Sequence, residues 1–454
     1  MIRSKWMRVV RDAVALAIEA LSWMELQGLS ERASFAKAAR QLQVTKSDQL
    51  RTAQLLVLET SRHRNFIDHI IRIAMSSEID LMSLQHGVSS FLRMLCYWAE
   101  FHRASEHDIT RLVRAARSVL GWRDLHPFEL TLGHIISTEP ERLLDRISSY
   151  EAEALGYFHP KWFMSACTRI LGRPSTLRLM QRNSTRTTSY IRINTLQGTE
   201  KDCLRAIERA GIRIDPVDGM RLTFKVQHSR RPIVRSEPFR NGMVVIQDKA
   251  SVLASLVAAP RPGDSVLDLC AAPGSKTAHL AELMENDGAV YSVDKSSLRM
   301  ALWKREMSRL GVEIAHPLVA DSTKPLPIEK QVNVVILDPP CSNTGTFWKS
   351  PAAKWRVTPE RVRQLAGMQS MMLENASQYL RKDGCLVYST CTILPEENEY
   401  VVDRFLRVHP DFQVTDAKPR IGLPGLYGLD KGQRLYPHIH DCNGHFIAKM
   451  MRTS

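Results

Sequence analysis

Among the eight cysteines of this 454-residue chain, no two stand in a Cys-x-x-Cys pair. That argues against a structural zinc site and a disulfide framework, and reduced thiols in an intracellular protein are the expectation. No uninterrupted apolar run approaches the ~20 residues needed to span a bilayer. Arg11, Asp12 and Glu19 interrupt the apolar stretch near the N-terminus, so no secretory leader is expected and the cytoplasm is the default location. Internal repeats and low-complexity linkers are also lacking. Acid is in deficit: 48 Asp and Glu against 62 Lys and Arg leave a net charge of +14. Such a balance calls for a polyanionic partner, and nucleic acid is the usual one because phosphates supply both affinity and steering.

What is present divides into three textures. The first ~150 residues repeat apolar positions at helical spacing, as in Val10, Ala13, Val14, Ala17 and Leu21, with Gly28 closing one helix and Ser30 placed to cap the next. Strand signals are scarce, so residues 1–150 read as a helical bundle with nothing catalytic in it. From 151 to 240, Tyr190–Asn194 and Leu222–Val226 alternate like half-buried strands. Arginines crowd this stretch (Arg169, Arg173, Arg178, Arg182, Arg186, Arg192, Arg230, Arg231, Arg235 and Arg240), the composition of a small α/β nucleic-acid platform. From 241 to 454 the order is strand, loop, helix, repeated. Strands are expected at 265–269, 289–293, 316–320, 333–337 and 385–390, with helices at 277–286, 298–310 and 360–381. This alternation predicts an α/β fold with a parallel, doubly wound sheet.

Val266–Leu269 runs into Cys270-Ala271-Ala272-Pro273-Gly274-Ser275-Lys276 before a helix. A strand, a tight loop of small residues and a helix N-terminus hold nucleotide-like ligands, because small side chains let the backbone come close. The loop is not G-x-G-x-x-G and lacks the P-loop spacing, so neither NAD nor ATP is favoured. Asp294, about 20 residues on, ends the next strand where a carboxylate takes ribose hydroxyls. Asp321 follows the strand after that, within reach of an adenine amino group. Any one of these acids alone would more often be a helix N-cap. Together with Asp338 they form an ordered set at strand ends, and ribose and adenine acceptors without a phosphate cradle fit S-adenosylmethionine.

Two further strand ends carry thiols: Val334–Leu337 runs into Asp338-Pro339-Pro340-Cys341-Ser342, and Leu386–Tyr388 into Ser389-Thr390-Cys391-Thr392. Ligands bind at the carboxyl ends of the strands in such sheets, so two thiols beside an acid point to covalent chemistry. The residues alone do not rank the two cysteines.

The stretches Asp268–Thr277, Asp338–Ser342 and Tyr388–Asn398, with Gln247–Ser251, Lys354–Glu360, Arg192-Ile193-Asn194 and Gly444-His445-Phe446, resemble the RsmB/NSUN family of RNA cytosine-5 methyltransferases over about residues 155–450. The helical first part resembles, more weakly, the NusB-type domain of the RsmB branch. The resemblance implies a Rossmann-like methyltransferase domain, a small α/β RNA-binding subdomain before it, S-adenosylmethionine as cofactor, and structured RNA as partner, ribosomal RNA favoured and transfer RNA possible. It implies Cys391 as nucleophile, Cys341 as the thiol that assists product release, Asp338 at the cytosine edge, and Lys276 favouring thiolate. Arg299 joins the implied cofactor contacts. DNA cytosine-5 methyltransferases carry the nucleophile on the Pro-Cys motif, so Cys341 is the competing assignment. Other readings are the same chemistry on DNA, and a non-catalytic ribosome-assembly factor. The chain departs from the pattern after Cys341, where Asn343 stands in place of a frequent Gly, at Ala352, where Asp is common, and at His445, where Phe is common and a packing variant is expected. No membrane partner and no metal are expected, and a monomer is assumed.

Overall fold

The computed structural model describes residues 2–75, 80–145, 147–185 and 187–453; Arg186 lies outside them. The chain divides into two compact units, Met1–Thr185 with Phe347–Arg356, and Arg186–Thr346 with Val357–Ser454.

The first unit is helical. Its long helices, Ile2–Gln27, Ser47–Arg62, His86–Cys96 and Glu106–Leu120, bury Leu16, Ala17, Leu56, Phe91, Leu95 and Ala116 in a common core. Ser30 caps helix Glu31–Gln41 by accepting from the Ala33 amide, as its position predicts. Helices Lys161–Leu171 and Arg173–Asn183 also fall in this unit. The segment 347–356 belongs to it, with Phe347, Trp348, Ala352 and Ala353 buried. Lys354 Nζ donates to the carbonyls of Phe158 (2.9 Å) and Arg62 (3.4 Å), Trp355 Nε1 to that of Ser61 (2.6 Å), and Glu31 accepts from the Ala352 amide (2.6 Å). Lys354 is fully buried, and burial drives its pKa well below the ordinary value.

The second unit holds two sheets. Strands β1 (Ser189–Ile193), β2 (Ile212–Val217), β3 (Met220–Ser229) and β4 (Val244–Ile246) form a sheet of order β2-β3-β1-β4, antiparallel throughout. Alternation along β1 sends Ile191 and Ile193 into a core with Cys203, Ile207 and Val244. Arg192 points to the other face, where it is buried rather than displayed to a nucleic acid. It pairs with Glu282 and donates to Gln247 Oε1 at 3.2 Å. Arg192 therefore leaves the expected basic surface, because only a partner carboxylate makes burial of its charge tolerable.

The larger sheet contains β5 (Ser265–Leu269), β6 (Ala289–Asp294), β7 (Ala315–Val319), β8 (Val332–Leu337), β9 (Leu380–Thr390), β10 (Phe412–Thr415), β11 (Leu423–Pro424), β12 (Gln433–Leu435) and β13 (His445–Arg452). Its order is β11-β12-β13-β9-β8-β5-β6-β7, with β10 beside β13. Strands β5 to β9 are parallel, but β13 runs antiparallel to β9, and β10 and β12 antiparallel to β13. The sheet is thus mixed, not wholly parallel as expected: the strands after β9 join it through antiparallel pairings, β13 on β9 and β10 and β12 on β13. The central strands are buried on both faces, which is why Val266, Leu267, Val335, Ile336, Leu337, Leu386 and Val387 read as apolar runs without alternation. Each such side chain contributes roughly 1.5–3 kcal/mol. Strand order reverses at β5, which has β6 on one side and β8 on the other; in such sheets ligands bind beyond the strand ends at this switch point.

Candidate active site

The loop leaving β5 turns sharply, with Cys270 at φ +65° and Gly274 at φ +109°. Gly274 has no substitute here: a Cβ would lie 2.6 Å from Met307 Cε and 2.9 Å from Trp303 Cδ1. Beneath the loop Asp268 accepts from Thr277 Oγ1 (2.5 Å), which accepts from Trp303 Nε1 (3.1 Å). Burial pushes the Asp268 carboxyl up to about 7 and the Cys270 thiol up to about 12. Ala271 and Ala272 are buried, Pro273 is exposed, and Ser275 opens helix Ser275–Leu283.

The acids at the neighbouring strand ends differ in how much of their hydrogen-bonding capacity is free. Asp294 is 2 % exposed; its Oδ1 accepts from the Ser296 amide at 3.0 Å, while Oδ2 accepts no hydrogen bond, with Arg299 Nη1 at 3.2 Å. Arg299 also donates to the Ala272 carbonyl, tying the β5 loop to the turn after β6. Asp321 Oδ1 accepts from Thr323 N (3.0 Å) and Thr323 Oγ1 (2.8 Å), and the amide bond holds its carboxyl below the usual range.

The parallel pairing of β5, β8 and β9 brings Lys276, Asp338 and both thiols together. Lys276 Nζ donates to Asp338 Oδ2 at 2.6 Å and Ser389 Oγ to Asp338 Oδ1 at 3.3 Å. Burial alone would lower the Lys276 ammonium, but the charge and hydrogen bond of Asp338 raise it. Cys341 Sγ and Cys391 Sγ stand 3.2 Å apart, and Cys391 Sγ donates to Asn343 Oδ1 at 2.9 Å. The contact with Cys391, then burial, raises the Cys341 thiol well above its ordinary value.

Sequence reasoning missed the scaffold that fixes the Cys341 loop. Glu397 is fully buried and accepts from Ser342 N (2.8 Å), Ser342 Oγ and Gln369 Nε2 (2.9 Å), while Gln369 also donates to the Pro340 carbonyl (3.0 Å). Burial raises the Glu397 carboxyl. Tyr388 donates to the Glu397 carbonyl at 2.6 Å, and Asn398 links Thr390 to the Thr392 carbonyl. The backbones of Gly345, Cys391 and Gly444 meet directly, Gly345 N donating to Cys391 O (3.0 Å) and Gly444 N to Gly345 O (2.8 Å). A Cβ on Gly345 would lie 2.0 Å from the Gly444 carbonyl. The only sequence signal was the Pro-Glu-Glu-Asn run, in which nothing says which acid turns inward. His445 is 4 % exposed, and its Nε2 has no hydrogen-bond partner.

Residues 255–451 match the family of 16S rRNA methyltransferases RsmB/F, and residues 159–229 its ferredoxin-like domain. The probable ribosomal RNA small subunit methyltransferase B of Bacillus subtilis (strain 168) is 30% identical over 408 residues, 87% of this chain and 89% of that protein. The chain belongs to the RsmB/F family. Members of this family are RNA methyltransferases whose methyl donor is S-adenosylmethionine. The crystal structure of PH0851 superposes with a TM-score of 0.85 at 28% identity, over 97% of this chain and 98% of that one. A methyltransferase homologue from Pyrococcus horikoshii matches 67% of this chain and 99% of its own, with a TM-score of 0.61 at 28% identity. The 26S rRNA (cytosine-C(5))-methyltransferase nsun-1 of Caenorhabditis elegans is 31% identical over 295 residues, 61% of this chain and 44% of that one. The Rossmann-like domain, the small α/β layer before it and the N-terminal helices agree with the architecture expected from the resemblance. No described helix is long and apolar enough to cross a membrane.

Proposed function

We propose that the protein methylates C5 of a cytosine in structured RNA, ribosomal RNA in preference to transfer RNA, through a covalent bond between Cys391 and C6. The observation that carries this reading is the pair of sulfurs 3.2 Å apart at the ends of β8 and β9, beside the Lys276–Asp338 ion pair at 2.6 Å. Cytosine C5 is a poor nucleophile until a thiolate adds to C6 and makes C5 enamine-like. Bound S-adenosylmethionine supplies the electrophilic methyl group. Asp338 hydrogen-bonds the cytosine edge and Lys276 favours the negative charge that develops as sulfur attacks. Once C5 has taken the methyl group it gives its proton to water, the C5–H electron pair restores the C5–C6 double bond, and the C6–S pair returns to sulfur as the Cys391 thiolate. Cys341 assists this release.

The chain's own residues suit the cofactor. Asp294 Oδ2 is a buried acceptor with no hydrogen bond, fitted to ribose hydroxyls. The Cys270–Lys276 loop would line the methionine side with Arg299 holding its Ala272 carbonyl, and Asp321 would offer its free Oδ2 toward the adenine. The helical unit and the small α/β layer are assigned to RNA, on the net charge of +14 and on relatives named for ribosomal RNA.

Bisulfite sequencing of host RNA with and without the protein tests the reaction. A cytosine that loses protection in its absence is expected; unchanged protection everywhere refutes it. Adduct trapping tests the roles. Cys341→Ala should accumulate a protein–RNA adduct stable in denaturing gels, and Cys391→Ala should form none and methylate nothing. An adduct in Cys391→Ala instead would reverse the two thiols.

A further inference from the structure

The Asn343 carboxamide bridges the two thiol-bearing loops. Its Nδ2 donates to the Cys341 carbonyl at 3.0 Å, and its Oδ1 accepts from Cys391 Sγ at 2.9 Å. This orientation is forced: a carbonyl oxygen only accepts, so Nδ2 must face Cys341 and the amide oxygen is left to face the sulfur. The backbone holds the side chain there. Asn343 sits at φ +58°, a left-handed conformation that asparagine, aspartate and glycine adopt at lowest cost. Its carbonyl accepts from the amide and the hydroxyl of Thr346, both at 2.9 Å.

We propose that Asn343 is a positioning residue for the Cys391 sulfur in both of its protonation states. In the resting site Oδ1 accepts the thiol proton and fixes Sγ beside Cys341. When that S–H bond breaks and the proton passes to water, the exposed carboxamide turns so that Nδ2 faces the sulfur and Oδ1 faces solvent, away from the Cys341 carbonyl, which would repel a second acceptor. Nδ2 then donates to the thiolate, and the Cys341 carbonyl gives up its bond. A carboxamide carries a donor and an acceptor at equal reach, so it follows this change without moving the backbone. Glycine offers neither group. A carboxylate keeps the bond to the thiol but only accepts, so it opposes the thiolate. The proposal rests on Cys391 as the attacking thiol.

The test compares Asn343→Gly and Asn343→Asp, both compatible with the left-handed turn, for kcat, KM for RNA, and the single-turnover rate of adduct formation in a Cys341→Ala background. One hydrogen bond to a charged sulfur predicts about a tenfold loss of kcat and of adduct rate in Asn343→Gly, with KM for RNA unchanged. Asn343→Asp should fall below Asn343→Gly although it preserves the asparagine shape. Both variants lose the Nδ2 bond to the Cys341 carbonyl, so a loop-only role would slow them equally; equal loss, wild-type rates in both, or an aspartate variant faster than the glycine one overturns the inference. Cys391→Ala with Cys341 intact, run beside them, separates the two failures. If it still forms adduct, the assignment of the nucleophile is wrong; if it is inert while Asn343→Gly reacts normally, only the role of Asn343 is.

Discussion

Replacing Asp294 by Asn separates the cofactor contact from the turn that carries it. The wild-type side chain is 2 % exposed, with Oδ1 held by the Ser296 amide at 3.0 Å and Oδ2 accepting nothing, 3.2 Å from Arg299. In the variant the amide oxygen keeps the Ser296 bond, and an NH2 group replaces Oδ2 and gives up its ion pair with Arg299. Two ribose hydroxyls that would donate to a carboxylate then meet one acceptor and one donor. A hydrogen bond to a charged group contributes roughly 1.5–3 kcal/mol, so losing one should weaken S-adenosylmethionine binding about 10- to 150-fold. Asp294→Ala removes the Ser296 contact as well, and the further loss, about 1 kcal/mol, should appear in the melting temperature. Calorimetric titration with S-adenosylmethionine reads the affinity, and filter binding should show RNA affinity unchanged in both variants. An asparagine variant that melts like wild type and binds the cofactor equally well would refute the placement of the ribose.

Three other outcomes follow from buried groups. Gly274→Ala should cost about 1–3 kcal/mol, because it combines φ +109° with a Cβ 2.9 Å from Trp303; an unchanged denaturant midpoint would contradict this. Arg192→Ala should cost about 3–5 kcal/mol by leaving the buried Glu282 unpaired, and Arg192→Met with Glu282→Leu should recover most of it. An Arg192→Ala variant as stable as wild type would show the pair to be dispensable. Asp268 has a folded-state pKa raised to about 7 from 3.8. The folded protein therefore holds a proton that the unfolded chain releases. Its stabilisation is complete below about pH 4 and is lost as pH rises toward 7, by up to ~1.4 kcal/mol per pH unit. Asp268→Asn should flatten the stability profile across that window, and parallel profiles for the two proteins would rule out Asp268 as the source.

Residues that lie next to each other in the chain explain most of what was readable in advance. Strands 265–269, 289–293 and 333–337 were visible because a strand buried on both faces is an apolar run, and β5, β6 and β8 stand at those positions. The antiparallel tail, β10 to β13, was not: β10 to β12 are two to four residues long, and β13 takes its place only by pairing with the edge of β9. Likewise Cys341, Cys391, Asp338 and Lys276 could be nominated from their strand-end motifs, whereas Glu397, Gln369 and Asn343 could not, since their partners lie 28 to 55 positions away.

The sequence by itself determined the family and the donor, and nominated the thiols and acids of the proposed chemistry, because these depend on residue types at fixed local spacing. Tertiary structure decided the rest. It placed two sulfurs from separate strands 3.2 Å apart, turned Arg192 from a surface cation into half of a buried ion pair, and gave residues 347–356 to the helical unit. Each of these outcomes depends on which distant groups share a buried volume, and the cost of an unpaired charge or hydrogen bond there selects the partner.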